Sequence, residues 1–471
     1  MRKTKIICTI GPATDSYDKL AQLYDAGLNV VRLNMSHGDH ESHRKVMKAI
    51  RTLNKKVLHP IPILLDTQGP EIRTGNLISD LNIKSGDIIS VVARGVENVE
   101  TTSISINYDD LITDVNIGDR ITVDNGLINL EVLSKEERTM QCRVIDGGVL
   151  KSKRHVNLPG IRVNLPAITE KDKQDIAFGI EQEVDYIALS FVREAKDIDE
   201  LRELLGKKAN KIKVIAKIED QEGVRNLETI IRAADGVMVA RGDLGVEVKI
   251  QDLPNIQRQI VRRCAELGKR VIVATHLLES MIENPIPTRA EVTDVANAVY
   301  EGVDAVMLSG ETSVGKYPFK CVNYLNQIAR TSEKNVGLNF ARSLIRDTDK
   351  QHIAAAAAEL ADSLGAVGIV VITRRGLMAN YLTNCQPQTR ILAFTNDSRT
   401  RRQLALNRNV VCYRAEFSTV PEKTLNNAFA ILRKQEGFDE DDKVVVVSDI
   451  ISGAGVDAIQ LRTLREPMPL N

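Results

Sequence analysis

The stretch "KVIAKIEDQEG", residues 213–223, decides how this chain folds. It runs apolar through Val214, Ile215 and Ala216 and then ends in charges of both signs, Lys217, Glu219, Asp220 and Glu222. A continuous apolar run fits a strand of a parallel sheet covered by helices on both faces. Residues two apart on a strand share a face, so Lys217 and Glu219 point the same way where this strand ends.

Seven further stretches repeat the pattern: "TKIICTIGP" (4–12), "LNVVRLNMSH" (28–37), "IPILLDTQGP" (61–70), "VDYIALSFV" (184–192), "DGVMVARGD" (235–243), "KRVIVATHL" (269–277) and "VDAVMLSGE" (303–311). Amphipathic segments such as "SYDKLAQLYDAG" and "NIQRQIVRRCAELGK" separate them, often closed by Gly. Eight β/α units are the number of a TIM barrel, and a doubly wound open sheet is the alternative. The expected α/β architecture is therefore a (β/α)8 TIM barrel over residues 1–70 and 167–342. Residues 71–166 read differently, with short alternating segments ("DIISVVARG", "RITVDNGLINLEVL", "TMQCRVIDGG") broken by Gly turns. They predict a small β-barrel inserted in a barrel loop, where it can act as a lid. Residues 343–471 restart an α/β pattern, a C-terminal domain with the strands "AVGIVVITRRG", "TRILAFT", "NVVCYRAE" and "DKVVVVSDI".

Composition narrows the function classes. Lys plus Arg and Asp plus Glu number 63 each, so net charge is zero and nothing points to a nucleic-acid partner. The six cysteines contain no CxxC, which argues against thiolate metal clusters and a disulfide framework. No apolar run reaches the roughly 18 residues of a membrane span, and the N-terminal run is too short for a signal peptide. A cytoplasmic protein is expected.

Catalytic groups of such barrels sit at the C-terminal ends of the strands. There the sequence places Arg32, Asn34 and Ser36; Asp66 and Thr67, followed by Glu71 and Arg73; Lys217 and Glu219; Asp243; and Thr275. Glu219 and Asp243, on neighbouring strands, suit one hard divalent ion such as Mg²⁺. Lys217 adds a second positive centre, and the set fits an anion that gains charge during reaction, an enolate or a transferred phosphoryl group. One Lys217–Glu219 ion pair alone would read as structural; repetition at several strand ends favours chemistry.

The motifs "CTIGPAT", "VVRLNMSHG", "LDTQGPEIRTG", "VNLPG", "KIEDQEG", "MVARGDLGVE", "PTRAEVTDVANAV" and "VMLSGETSVGKYP", in this order over about residues 1–320, resemble the pyruvate kinase family. The resemblance implies phosphoryl transfer from phosphoenolpyruvate to ADP, with Mg²⁺ (or Mn²⁺) on Glu219 and Asp243 and Lys217 stabilising the phosphoryl group in flight. It implies that the Gly242 and Asp243 amides and Thr275 hold the substrate carboxylate, Thr275 lying near the proton given to the enolate. Arg32 and Arg73 would contact phosphate, with Asn34, Met35, Ser36, His37 and Arg154 along the nucleotide. Asn34, Ser36, Asp66 and Thr67 would bind K⁺, which family members with Glu at the position of Glu71 require. A homotetramer is implied, with Arg289 near a subunit interface.

Several positions depart from the family pattern. Gln68 and Arg154 stand where Lys is usual, His155 replaces Gly, and His276 replaces Gln. The C-terminal loop "ITRRGLMAN" lacks the Ser/Thr-rich fructose 1,6-bisphosphate pattern, though Thr373, Arg374, Arg375 and Gly376 suit a phosphate. "SGAGVDAIQLRTL" stands where "GxTNT" is usual. Activation by fructose 1,6-bisphosphate is expected to be weak, absent or replaced by another phosphorylated effector. Two rival readings share these residues: a Mg²⁺-dependent lyase or aldolase acting on enolates, and a phosphosugar or nucleotide sensor on an inactive barrel.

Overall fold

The computed structural model describes residues 2–93, 103–124, 126–161, 163–448 and 458–465. All eight expected runs form strands: β1 (Lys5–Thr9), β2 (Val30–Asn34), β3 (Ile63–Asp66), β4 (Tyr186–Leu189), β5 (Lys213–Ile218), β6 (Gly236–Ala240), β7 (Arg270–Ala274) and β8 (Ala305–Leu308). Each pairs in parallel with the next, and β1 pairs with both β2 and β8, so the sheet closes and the open alternative is excluded. Strand alternation then divides the side chains. Ile6, Cys8, Val31, Leu33, Leu65, Val214 and Ala216 face outward into the main core beneath the helices. Ile7, Val30, Leu64, Tyr186, Ile215, Met238, Ile272 and Met307 fill the barrel interior. Local chemistry starts the helices: Asp39 and Ser42 form a capping box for His40–Asn54, and Thr169 and Asp172 form one for Glu170–Glu181.

The insert packs around its own core, including Ile89, Val91, Ile121, Leu130, Val132 and Val144. Its strands make a six-stranded sheet and a two-stranded sheet, and bridges from Arg73 to His155 and from Thr74 to Ile106 join the two edges of the larger sheet into a small barrel. The C-terminal domain holds the four expected strands in one parallel group, with a fifth, antiparallel strand at Ala458–Thr463. That strand covers part of the "SGAGVDAIQLRTL" segment, whose first six residues lie outside the described residues.

This domain caps the N-terminal mouth of the barrel. Leu406 completes the interior cluster from below, and Arg402 Nε lies 2.9 and 3.1 Å from the two oxygens of buried Asp185, next to β4. The opposite mouth, with its polar strand ends, is left to the insert. No helix among the described residues is long and apolar enough to cross a membrane.

Candidate active site

A cleft of about 300 Å³ opens between the C-terminal mouth of the barrel and the insert. Arg32, Asn34, Ser36, His37, Arg73, Arg154, Lys217, Glu219 and Asp243 all line it. Their strands lie far apart in sequence, and closure of the barrel brings their ends together.

Lys217 stands at the floor. The residue is only 8 % exposed. Its Nζ donates to Ser190 Oγ at 2.6 Å and lies 2.9 Å from Glu219 Oε1 and 3.1 Å from Asp66 Oδ1. Asp66, fully buried, also receives Arg32 Nε at 2.6 Å, and Arg32 Nη1 donates to Thr9 Oγ1 at 2.9 Å. Burial would raise the Asp66 carboxyl, but Lys217 and Arg32 outweigh it and hold it below the usual range. Burial likewise pulls the Lys217 ammonium down, and Asp66 and Glu219 more than offset that, leaving it raised and charged. Glu219 Oε2 accepts the Phe191 amide at 2.7 Å.

Beside the cleft stand the ends of β6 and β7, of which only Asp243 lines it. Thr275 Oγ1 accepts the Gly242 amide at 2.7 Å. Thr275 and His276 both hold left-handed backbone, φ 66° and 54°, which costs energy in residues other than Gly. Buried Arg241 holds the bend: its Nη2 donates to the Thr275 carbonyl at 2.6 Å, while Nη1 is anchored on Asp294 at 2.8 Å. His276 is exposed, with Nε2 3.3 Å from Glu279 Oε2.

The β3 loop forms the edge toward the insert. Gly69 has φ 75°, and a Cβ there would come within 2.8 Å of Ser190 Cβ, so only glycine lets this loop approach the end of β4. Asp172, fully buried, accepts the Gln68 and Gly69 amides, each at 3.0 Å. Glu71 Oε2 accepts from both Arg73 Nε, at 2.7 Å, and Gln68 Nε2, at 2.8 Å. Arg154 reaches Asp124 at 3.4 Å, and its Nε is buried without a partner.

Not every expected residue faces the cleft. Met35 turns its side chain into the main core, leaving only its backbone for contact with a ligand. Asp66 and Thr67 lie beneath the floor, Thr67 Oγ1 accepting the Ser190 amide at 3.1 Å. Ser190, Phe191, Asp172 and Arg241 were not expected. Ser190 and Phe191 follow the β4 run as other polar ends follow theirs, and that position was the available signal.

The donors fit hard cations. Glu219 and Asp243 offer carboxylate oxygens, and no group of three or more His, Cys, Asp or Glu capable of holding a metal occurs among the described residues. Two carboxylates plus water and substrate oxygens suit Mg²⁺ better than a soft or tightly caged metal.

The insert is tied to the barrel through Glu247. Asn157 Nδ2 donates to Glu247 Oε1 at 2.9 Å, and Gln221 Nε2 donates to the Glu247 carbonyl at 2.5 Å. Burial pushes the Glu247 carboxyl up to about 7; Asn157 opposes this, while Asp220 and Asp243 reinforce it. A carboxyl raised above its unfolded value stabilises the fold fully below about pH 4.3, and that contribution is lost as pH rises through the folded value. Glu247→Gln is therefore expected to gain up to about 3 kcal/mol over the wild type at pH 8 and little at acidic pH. Thermal melts of both proteins from about pH 5 to 8 check this; parallel curves would refute it.

Two family models match the chain. The family model described as "Pyruvate kinase, barrel domain" matches residues 1–322, and "Pyruvate kinase, alpha/beta domain" matches residues 351–460. Plastidial pyruvate kinase 2 of Arabidopsis thaliana is 43% identical over 452 residues, covering 95% of this chain and 78% of that protein. A pyruvate kinase of Geobacillus stearothermophilus is 44% identical over 460 residues, covering 96% and 78%. The crystal structure of a pyruvate kinase from Cryptosporidium parvum superposes with a TM-score of 0.93 at 35% identity, covering 98% of this chain and 96% of that one.

Proposed function

The chain belongs to the pyruvate kinase family and works as a pyruvate kinase, a metal-dependent phosphotransferase; on that premise we propose how its own residues carry the reaction. The phosphoryl group leaves the enol oxygen of phosphoenolpyruvate for the terminal phosphate of ADP, and the enolate left behind takes a proton to become pyruvate. Such a transfer needs dense, fixed positive charge and little covalent work.

Lys217 supplies that charge. Its ammonium is fixed by Asp66, Glu219 and Ser190, so it needs no reorganisation as charge shifts across the transferring oxygens. This one arrangement carries the proposal. Arg32 and Arg73 hold phosphate oxygens; Arg32 is pre-set by Asp66 and Thr9, and Arg73 by Glu71. The Gly242 and Asp243 amides and Thr275 take the substrate carboxylate, with the Thr275 hydroxyl on the enolate's side. Asn34, Met35 (through its backbone), Ser36, His37 and Arg154 receive the nucleotide. Glu219 and Asp243 would hold Mg²⁺ or Mn²⁺, which supplies charge to the phosphoryl and enolate oxygens. Asn34, Ser36, Asp66 and Thr67 would hold K⁺ with an all-oxygen set that carries one negative charge. We further place the enzyme in the cytoplasm as a homotetramer.

The test is pyruvate formation from phosphoenolpyruvate, requiring both ADP and Mg²⁺. Pyruvate made without ADP would point to a lyase, and none at all to a sensor. Replacing Na⁺ by K⁺ is expected to raise the rate severalfold or more, because Glu71 adds a negative charge where a lysine would itself serve as the cation. Equal rates in the two salts would remove the monovalent site.

The C-terminal loop departs from a sugar-bisphosphate cradle. Thr373 Oγ1 already accepts the Gly376 amide at 3.0 Å, and the Arg374 carbonyl accepts Thr400 Oγ1 at 3.2 Å. We expect fructose 1,6-bisphosphate to leave the half-saturating phosphoenolpyruvate concentration nearly unchanged.

A further inference from the structure

Residues 35–39 join β2 to the helix His40–Asn54, and Asn34, Ser36 and His37 line the cleft. A loop past a strand end has no ladder to fix its peptide planes, so its polar backbone groups need partners elsewhere. Two side chains from outside the loop supply them. Lys171 Nζ, from the first turn of the helix Glu170–Glu181, donates to the Met35 carbonyl at 2.6 Å. His43 Nε2 donates to the His37 carbonyl at 2.9 Å.

The first of these contacts sets more than a carbonyl. In a trans peptide the C=O and the following N–H point opposite ways. With the Met35 carbonyl drawn toward the helix Glu170–Glu181, the Ser36 N–H turns to the other side, where it donates to Asn34 Oδ1 at 3.2 Å. Asn34 and Ser36 are thereby held in one arrangement at the cleft.

Lys171 is itself aimed. Its Nζ lies 2.7 Å from Asp175 Oδ2, one turn along the same helix. Asp175 is buried, and its other oxygen lies 2.7 Å from His40 Nε2, whose ring stacks on Phe178 with centroids 4.3 Å apart. A buried carboxylate is stable only when paired, so the anchor beneath the ammonium is firm. An ordinary (i, i+4) pair on a helix surface would end there. Lys171 instead makes a second hydrogen bond, to a carbonyl 136 residues away in the chain. The next residue, Asp172, fixes the β3 loop through the Gln68 and Gly69 amides, so one helical turn positions two loops of the cleft.

We propose that Lys171 is a positioning residue for the nucleotide. It does not line the cleft; it sets the peptide between Met35 and Ser36, and through it the Asn34 and Ser36 side chains, for the phosphates of ADP. The inference rests on the assignment of residues 34–37 to the nucleotide. Arg32, assigned to phosphate on the same strand, is held by other partners, Asp66 and Thr9, so loss of Lys171 should fall on one substrate.

The test is calorimetric titration of the full chain with ADP and Mg²⁺, and steady-state kinetics at saturating K⁺, on the wild type, Lys171→Met, Lys171→Arg, Glu181→Gln and Ser36→Ala. Lys171→Met is expected to weaken ADP binding by about tenfold, the scale of one charge-assisted hydrogen bond. The half-saturating ADP concentration should rise alike, with that of phosphoenolpyruvate unchanged. Lys171→Arg keeps a charge for Asp175 and a donor for the carbonyl, and should restore most of the affinity. Glu181→Gln removes another ion pair between the same two helices, Arg44–Glu181 at 3.4 Å, and should change neither substrate; a merely structural role would make Lys171→Met resemble it. Lys171 is exposed and Asp175 keeps His40, so Lys171→Met is expected to fold. Wild-type ADP affinity in Lys171→Met, equal rises for both substrates, or no better binding by Lys171→Arg would overturn the inference. In that event weakened binding by Ser36→Ala leaves the nucleotide assignment standing, whereas wild-type binding by Ser36→Ala removes the assignment as well.

Discussion

Replacing Lys217 by methionine is expected to slow phosphoryl transfer by about 10²–10³-fold, the scale of about 2.7–4 kcal/mol seen when one pre-set donor is removed from a charge-stabilising site. Methionine keeps the length of the side chain and removes the charge. The loss extends to stability. Asp66 and Glu219 are 0 % and 1 % exposed, and Lys217 is the cation that touches both. Taking one member from a buried ionic group leaves uncompensated charge and costs about 3–5 kcal/mol. Turnover and urea unfolding should therefore be measured on the same preparation. A folded Lys217→Met protein that keeps more than a few per cent of wild-type turnover would end the role assigned to this ammonium.

Those two costs show what the sequence could and could not display. The barrel was legible because each strand carries its own signature, an apolar run ending in polar residues, and eight of them leave little choice of architecture. The side chains at the mouth were legible for the same reason: period two puts Lys217 and Glu219 on one face without any knowledge of neighbours. What was hidden is long-range. Ser190 holds Lys217, and the Phe191 amide holds Glu219, yet a Ser-Phe pair carries no charge pattern to mark it. Asp172 reads as an ordinary helix start, and only the folded chain shows its carboxylate fixing the Gln68 and Gly69 amides. The left-handed Thr275 depends on Arg241 arriving from the neighbouring strand's end. The burial of Lys217 was hidden too, because a charged strand end suggests solvent, whereas here three strands converge on it. In the insert, alternation announced the strands, while the link that closes them, Arg73 and Thr74 bridged to His155 and Ile106, depends on pairing between distant edges.

Glu219→Gln separates the metal from the ionic cluster. The change is isosteric but not conservative. Glu219 accepts from the Lys217 ammonium at one oxygen and from the Phe191 amide at the other, so a glutamine must point its NH₂ at one of two donors. With one carboxylate fewer for the ion, the Mg²⁺ concentration giving half-maximal rate is expected to rise and the rate at saturating substrates to fall by roughly 10²-fold, several kcal/mol of lost charge stabilisation. Rate against Mg²⁺ at fixed phosphoenolpyruvate and ADP measures it, and an unchanged metal dependence would exclude Glu219 as a ligand. Combining this change with Lys217→Met sharpens the distinction. The double variant removes both the ammonium and the carboxylate it leaves stranded, while Asp66 keeps Arg32 at 2.6 Å. Stability should then recover part of what Lys217→Met alone loses, because contacting residues are coupled rather than additive. Activity should not recover at all, since both charges needed at the transferring phosphoryl group are gone. Recovery of both together would mean that Lys217 and Glu219 form a purely structural pair and that the chemistry lies elsewhere in the cleft.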